Sequence, residues 1–255
     1  MKQIVCLLAV LAVMSTWPVF SQPSRFSREK YVGEKGDTLY YRMLYPDANP
    51  LRKYPLVIFL HGSGERGSDN DAQLKWGVMN FATDQNMAAH PALVVAPQCP
   101  EKLTWSNVDR GQNGGSLSLK AEPSEPMALV LGLIRQLVKT MPVDTNRIYI
   151  TGLSMGGYGT YDVIERYPHL FAAAVPVCGG GDTSKAASIA HLPMWIFHGA
   201  EDPAVSPVYD LRMLEALTRA GAHPGFTEYP EVGHFSWIEA YSDPLMMEWL
   251  FRQHK

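Results

Sequence analysis

The 255-residue chain is short of several things, and each shortage removes a class of protein. Neither sign of charge dominates: 22 Lys and Arg stand against 25 Asp and Glu, and the formal net charge is −3. No block of Lys or Arg occurs, so the electrostatic footprint of a nucleic-acid partner is absent. Beyond the first twenty or so residues there is no long apolar run, and no stable membrane insertion is expected. The glycine-rich loops are not followed by Gly-Lys-Ser/Thr, which removes a phosphate loop. No H-E-x-x-H or similar spacing offers a metal site, so no metal is expected. Internal repeats and low-complexity linkers are also missing. Cysteine occurs only three times, as Cys6, Cys99 and Cys178.

The N-terminus reads as a leader. Lys2 supplies a positive start, Ile4 to Val13 is almost unbroken apolar sequence, and Pro18 precedes the small-residue pattern ending at Ser21. The apolar core is too short to span a bilayer, which indicates a secretory signal over 1–21 and a single catalytic domain over 22–255. A retained N-terminal anchor is the alternative. Removal of the leader would place the protein outside the cell or in the periplasm and leave Cys99 and Cys178. These follow strands expected to lie three apart, roughly 14 Å at the usual spacing, beyond direct bridging reach. Two buried thiols are expected, with a disulfide as the alternative.

From residue 39 onward, short apolar strands alternate with longer helical stretches, the pattern of a mostly parallel sheet covered on both faces. Strands are expected over 39–45, at the sheet edge, and over 56–60, 92–96, 148–151, 172–177, 194–197 and 226–229. Helices are expected over 127–140, after residue 154, and over 207–220 and 241–253. A long polar loop spans 101–123. His61, Cys99, Ser154, Asp182, Asp202 and His234 all follow strand ends. In an open α/β sheet that edge binds ligands.

Gly152-Leu153-Ser154-Met155-Gly156 fits G-x-S-x-G between a strand and a helix, the context in which this motif presents a nucleophilic serine on a tight turn. The plain alternative is a glycine-rich turn with Ser154 as a helix cap. A serine nucleophile needs a base, and the base needs an orienting acid. Of eight histidines, His234 alone sits in the loop directly after the last strand, past every candidate acid, whereas His254 lies in the tail; this matches the order Ser…Asp/Glu…His. Asp202, in "FHGAEDPAV", is the first choice for the acid, and Asp182, in "CGGGD", is its rival. The oxyanion hole is expected from the backbone N–H groups of Met155 and of Ser63 in "HGSGERG". Glu65 or Arg66 would brace that loop through an ion pair.

The stretches "YPLVIFLHGSGERG", "VVAPQCP", "VDTNRIYITGLSMGGYGTYD", "WIFHGAEDPAV" and "YPEVGHFSW" resemble the α/β-hydrolase superfamily. More narrowly, they are similar to secreted phospholipase/carboxylesterase-like and polyhydroxybutyrate-depolymerase-like esterases, often grouped with prolyl-oligopeptidase-family hydrolases. The resemblance implies a three-layer α/β-hydrolase fold, a Ser154–Asp202–His234 triad, an oxyanion hole near Ser63 and Met155, and no cofactor. It implies Trp105 in the substrate wall, against the alternative of a core aromatic anchoring the long loop. The implied substrate is a small-molecule or polysaccharide-linked ester, such as an acetyl or feruloyl ester. A peptidase and a catalytically dead binding protein are the rival readings. The chain leaves no spare length for the propeller or cap of the peptidase relatives.

Overall fold

The computed structural model describes residues 25–46, 49, 51–111 and 115–255. The expected leader over 1–21 lies outside them, as does Gly114 of the long polar loop.

An eight-stranded sheet organises the chain. Its strands are β1 (Phe26–Val32), β2 (Thr38–Leu44), β3 (Tyr54–Leu60), β4 (Leu93–Pro97), β7 (Val143–Leu153), β8 (Ala173–Val177), β9 (Trp195–Gly199) and β10 (Gly225–Tyr229), in the order β1-β2-β4-β3-β7-β8-β9-β10. The β1–β2 and β2–β4 pairs are antiparallel, and every pair from β4 to β10 is parallel. A separate hairpin, β5 (Val108–Arg110) with β6 (Leu117–Leu119), rises from the long loop.

All seven residues of β3 are buried, because both sheet faces are covered. Leu56, Ile58 and Leu60 face one core, and Val57 and Phe59 face the other. The strand period of two thus divides one apolar run between two layers. Burying each such side chain contributes about 1.5–3 kcal/mol, so the central strand is the firmest part of the frame. Helices α2 (Glu125–Thr140), α3 (Met155–Arg166) and α5 (Val208–Arg219) line the first core. Helices α6 (Trp237–Ser242) and α7 (Pro244–Arg252) line the second. Two short helices, α1 (Asp84–Ala89) and α4 (Ala186–Ile189), complete the set. No helix among the described residues is long and apolar enough to cross a membrane.

Three expectations need correction. The strand near residue 39 is antiparallel but not the edge; β1 lies outside it. Strand β1 alternates buried or half-buried residues with exposed Arg28, Lys30 and Val32, a weak apolar signal. The C-terminal helix is two helices. Pro244 opens the second one while the Asp243 carboxylate caps the Leu245 N–H at 2.8 Å, as proline at a first helical turn favours. The 101–123 segment is partly ordered as the β5–β6 hairpin. Cys99 and Cys178 follow β4 and β8, three strands apart in the sheet, and both thiols are free and buried.

Candidate active site

Strand β7 delivers Ser154 between its two neighbours. Gly152 sits in register with Leu60 of β3, and Leu153 with Val177 of β8. The Ser154 N–H donates to the Val177 carbonyl at 2.9 Å, and α3 starts at the next residue. Ser154 has φ 53° and ψ −114°, the first central position of a type II′ turn, which glycine ordinarily fills. Gly156 makes the turn sterically feasible: a Cβ there would lie 1.9 Å from the Leu60 carbonyl oxygen.

The turn aims the hydroxyl at His234, which follows β10. Ser154 Oγ lies 2.9 Å from His234 Nε2, and His234 Nδ1 lies 2.7 Å from Asp202 Oδ2. With Nδ1–H donating to the carboxylate, Nε2 presents a lone pair to the serine hydroxyl. Asp202 Oδ1 accepts the Ala204 and Val205 amides at 2.8 and 2.9 Å, which fixes the carboxylate. The His234 ring meets Trp237 edge-on, with centroids 5.1 Å apart. The three side chains therefore form one continuous hydrogen-bonded line from a strained serine to a buried acid.

Asp182, the rival acid, is committed elsewhere. Its Oδ2 accepts the Leu119 N–H at 2.9 Å, and its Oδ1 accepts the Ser184 amide and hydroxyl. Burial opposes its charge, but these hydrogen bonds outweigh burial and hold the carboxyl below the usual range. Asp182 ties the β5–β6 hairpin to the end of β8.

The loop after β3 lies against the serine turn. A Cβ on Gly62 would meet Leu153 Cδ1 at 2.8 Å. Ser63 is exposed at the start of a short turn, and no protein group among the described residues accepts from its N–H or from that of Met155. Beneath the loop, His61 Nδ1–H donates to the Gly62 carbonyl at 2.6 Å, while Nε2 accepts the Cys99 N–H at 2.9 Å. That pairing requires a neutral ring, and burial brings the His61 value down to about 4. The expected Glu65 or Arg66 ion-pair brace is not what holds the loop. Arg66 donates to the Leu103 carbonyl at 2.6 Å and to the Ser63 carbonyl at 3.4 Å. Burial pushes the Glu65 carboxyl up, against the opposing pull of Lys75, the Gly62 amide and the Trp76 indole.

Trp105 is not a substrate wall. It is fully buried, its Nε1–H donates to the His61 carbonyl at 3.1 Å, and its ring stands edge-on to His61. It anchors the long loop to α3 and to the loop after β3. The aromatic surface beside the site lies elsewhere. Phe235, next to His234, is 53% exposed and contacts both Trp76 and Trp237. The sequence signal was present in "HFSW", where two aromatics follow the histidine. On the hairpin, the Arg110 guanidinium lies over the Tyr158 ring at 4.7 Å.

Among the described residues, Cys178, Asp202 and His234 bring three potential metal-ligand atoms within 4.8 Å. The Asp202 and His234 atoms are already hydrogen-bonded to one another, and burial drives the Cys178 thiol well above its usual range. A protonated thiol is a poor ligand, so this donor set suits a proton relay.

Residues 47–243 match the Phospholipase/Carboxylesterase family. The chain belongs to that family. A thermostable esterase of known structure is 40% identical, with a TM-score of 0.85 over 92% of this chain and 64% of that one. Poly(3-hydroxyalkanoate) depolymerase C of Paucimonas lemoignei is 27% identical over 49% of this chain. The bifunctional acetylxylan esterase/xylanase of Neocallimastix patriciarum is 23% identical over 64%. The chain spans only 28% and 21% of the length of these two relatives.

Proposed function

We propose that this phospholipase/carboxylesterase-family chain is a serine carboxylic ester hydrolase working through an acyl-enzyme. The observation that carries the reading is the Ser154–His234–Asp202 hydrogen-bonded line. Ser154 Oγ attacks the ester carbonyl carbon as His234 Nε2 takes the hydroxyl proton. The carbonyl oxygen becomes an oxyanion held by the Met155 and Ser63 amides, at the positive N-terminal end of α3. Asp202 steadies the imidazolium. The tetrahedral intermediate collapses, His234 passes its proton to the departing alcohol, and the acyl group stays on Ser154. Water, deprotonated by His234, then attacks the acyl carbon and releases the acid with Ser154 restored.

The substrate class we favour is a short acyl or aromatic acyl ester carried on a polysaccharide. Support comes from the acetylxylan esterase relative and from Phe235 and Trp76 beside His234, a surface suited to a flat ring. Together with the leader expected over 1–21, this reading places the reaction outside the cell or in the periplasm.

The test is a nitrophenyl acetate assay with a fluorophosphonate probe. Wild type should hydrolyse the ester and take the label at Ser154. Ser154→Ala should lose label and roughly 10⁶-fold in kcat, as loss of a triad serine does elsewhere. An alanine variant that keeps its rate would end the proposal, and so would hydrolysis of peptides with esters left untouched.

A further inference from the structure

A second histidine stands behind the acid, and no step above uses it. His198 lies on β9, fully buried, with Asp210 of α5 beside it and equally buried. Its Nδ1 is 2.6 Å from Asp210 Oδ2. Its Nε2 is 3.0 Å from the Val205 carbonyl oxygen and 3.4 Å from Asp202 Oδ2. Both ring nitrogens therefore face only acceptors. A neutral imidazole has one N–H and one lone pair, so either neutral form would aim a lone pair at a carboxylate. With both carboxylates ionised, only the doubly protonated ring gives a donor on each side.

We infer that His198 is a standing buried cation, held by Asp210, which acts as a positioning residue for the triad by sharing Asp202 Oδ2 with His234. This rests on the ester-hydrolase reading of Ser154, His234 and Asp202. The pocket then contains two carboxylates and one cation, which limits the cost of burying charge. Asp210 is itself fixed, since its Oδ1 accepts the Tyr161 hydroxyl at 2.6 Å and its Oδ2 accepts the Gly179 N–H at 3.3 Å. The other titratable groups around it, Tyr158, Tyr161 and Cys178, are all pushed upward, by burial first. They stay neutral and add no further anion beside the ring. Burial alone would lower His198, but the hydrogen bond and charge of Asp210, the Val205 carbonyl and the Asp202 charge outweigh it, and the ring is raised.

The functional consequence is a matter of sign. A positive charge on His198, across one oxygen from His234, opposes a second positive charge on His234. Removing that charge should move the acid limb of the kcat/KM profile upward by about two pH units, the scale set by unit charges about 6 Å apart with protein-like screening. Activity on the acid side should then fall roughly a hundredfold, with the plateau kcat changed far less.

Two measurements test this on the whole protein. In ¹⁵N-histidine-labelled wild type, the His198 ring should show two N–H protons from pH 5 to 8. In Asp210→Asn it should titrate within that range. A neutral His198 in wild type at pH 7 overturns the inference. In the second measurement, folded His198→Asn should show the displaced acid limb with nitrophenyl acetate while Ser154 still takes a fluorophosphonate label. A purely structural role would lower kcat at every pH and leave the limb in place, and that result also overturns the inference. If Ser154 never labels in wild type, the ester-hydrolase reading fails, and the NMR result still decides the charge on His198.

Discussion

Replacing Ser154 by glycine should give a more stable protein than replacing it by alanine. Both changes delete the hydroxyl and its 2.9 Å contact with His234 Nε2, so their difference isolates the backbone. At φ 53° and ψ −114° a residue with a Cβ sits where glycine is the usual occupant, and such strain costs of order 1–3 kcal/mol, here the upper end. Two terms oppose the gain from glycine. The freer unfolded chain costs about 0.5–1 kcal/mol, and the lost burial of one carbon costs about 0.8 kcal/mol. The balance favours glycine by about 1 kcal/mol, or about 2–4 °C in Tm for a chain of this size. Urea unfolding and scanning calorimetry on the two inactive variants would measure it. A glycine variant that melts at or below the alanine variant would refute the claim that the turn is strained.

Two further outcomes follow from the carboxylates. Asp202→Asn should lower kcat by about 10⁴-fold by presenting the wrong His234 tautomer, whereas Asp182→Asn should loosen the β5–β6 hairpin toward proteolysis yet leave kcat within about tenfold; equal losses in steady-state kinetics would reinstate Asp182 as the acid. Glu165 is buried, with Oε1 on the Asp182 N–H and no hydrogen bond to Oε2. Burial, then the Asp182 and Asp162 charges, hold its carboxyl well above the usual range. A raised folded value means stability is fullest below the unfolded value near 4.3 and declines, at up to about 1.4 kcal/mol per pH unit, as pH rises toward the folded value. Glu165→Gln should remove that slope, so its denaturation midpoint should exceed wild type at pH 8 and converge with it near pH 4. Parallel profiles would show that Glu165 does not carry the pH dependence.

The frame and the serine turn were legible in the sequence because their signals are local. An unbroken apolar run can only be a strand covered on both faces, and G-x-S-x-G between a strand and a helix has few uses. His234 was reachable from chain order. Asp202 stayed in competition with Asp182 because both end strands, and sequence does not say which carboxylate a distant hairpin will occupy. For Trp105 the resemblance pointed to the substrate wall, whereas the alternative of a core anchor holds: the ring is drawn inward by the His61 carbonyl, a partner 44 residues away that the loop's own sequence does not announce. Strand β1 hid behind its charges. The state of His198 required Asp210, twelve residues away on a helix, so no motif could announce it. His61 and His198 look alike on paper, each ending a strand before a glycine. Only their neighbours distinguish them: one ring accepts an N–H and stays neutral, and the other meets acceptors on both sides.

The line from Ser154 through His234 to Asp202 joins residues 80 and 32 positions apart in the chain. Those residues meet only after β7, β9 and β10 have all taken their places in the sheet. An unfolded copy carries nothing more than an ordinary serine, which makes it chemically silent toward esters and phosphonates alike. The rate at which a serine-directed probe labels Ser154 is thus a direct gauge of the natively folded fraction, readable in crude mixtures. A chain that has not yet folded would stay inert toward any ester it met.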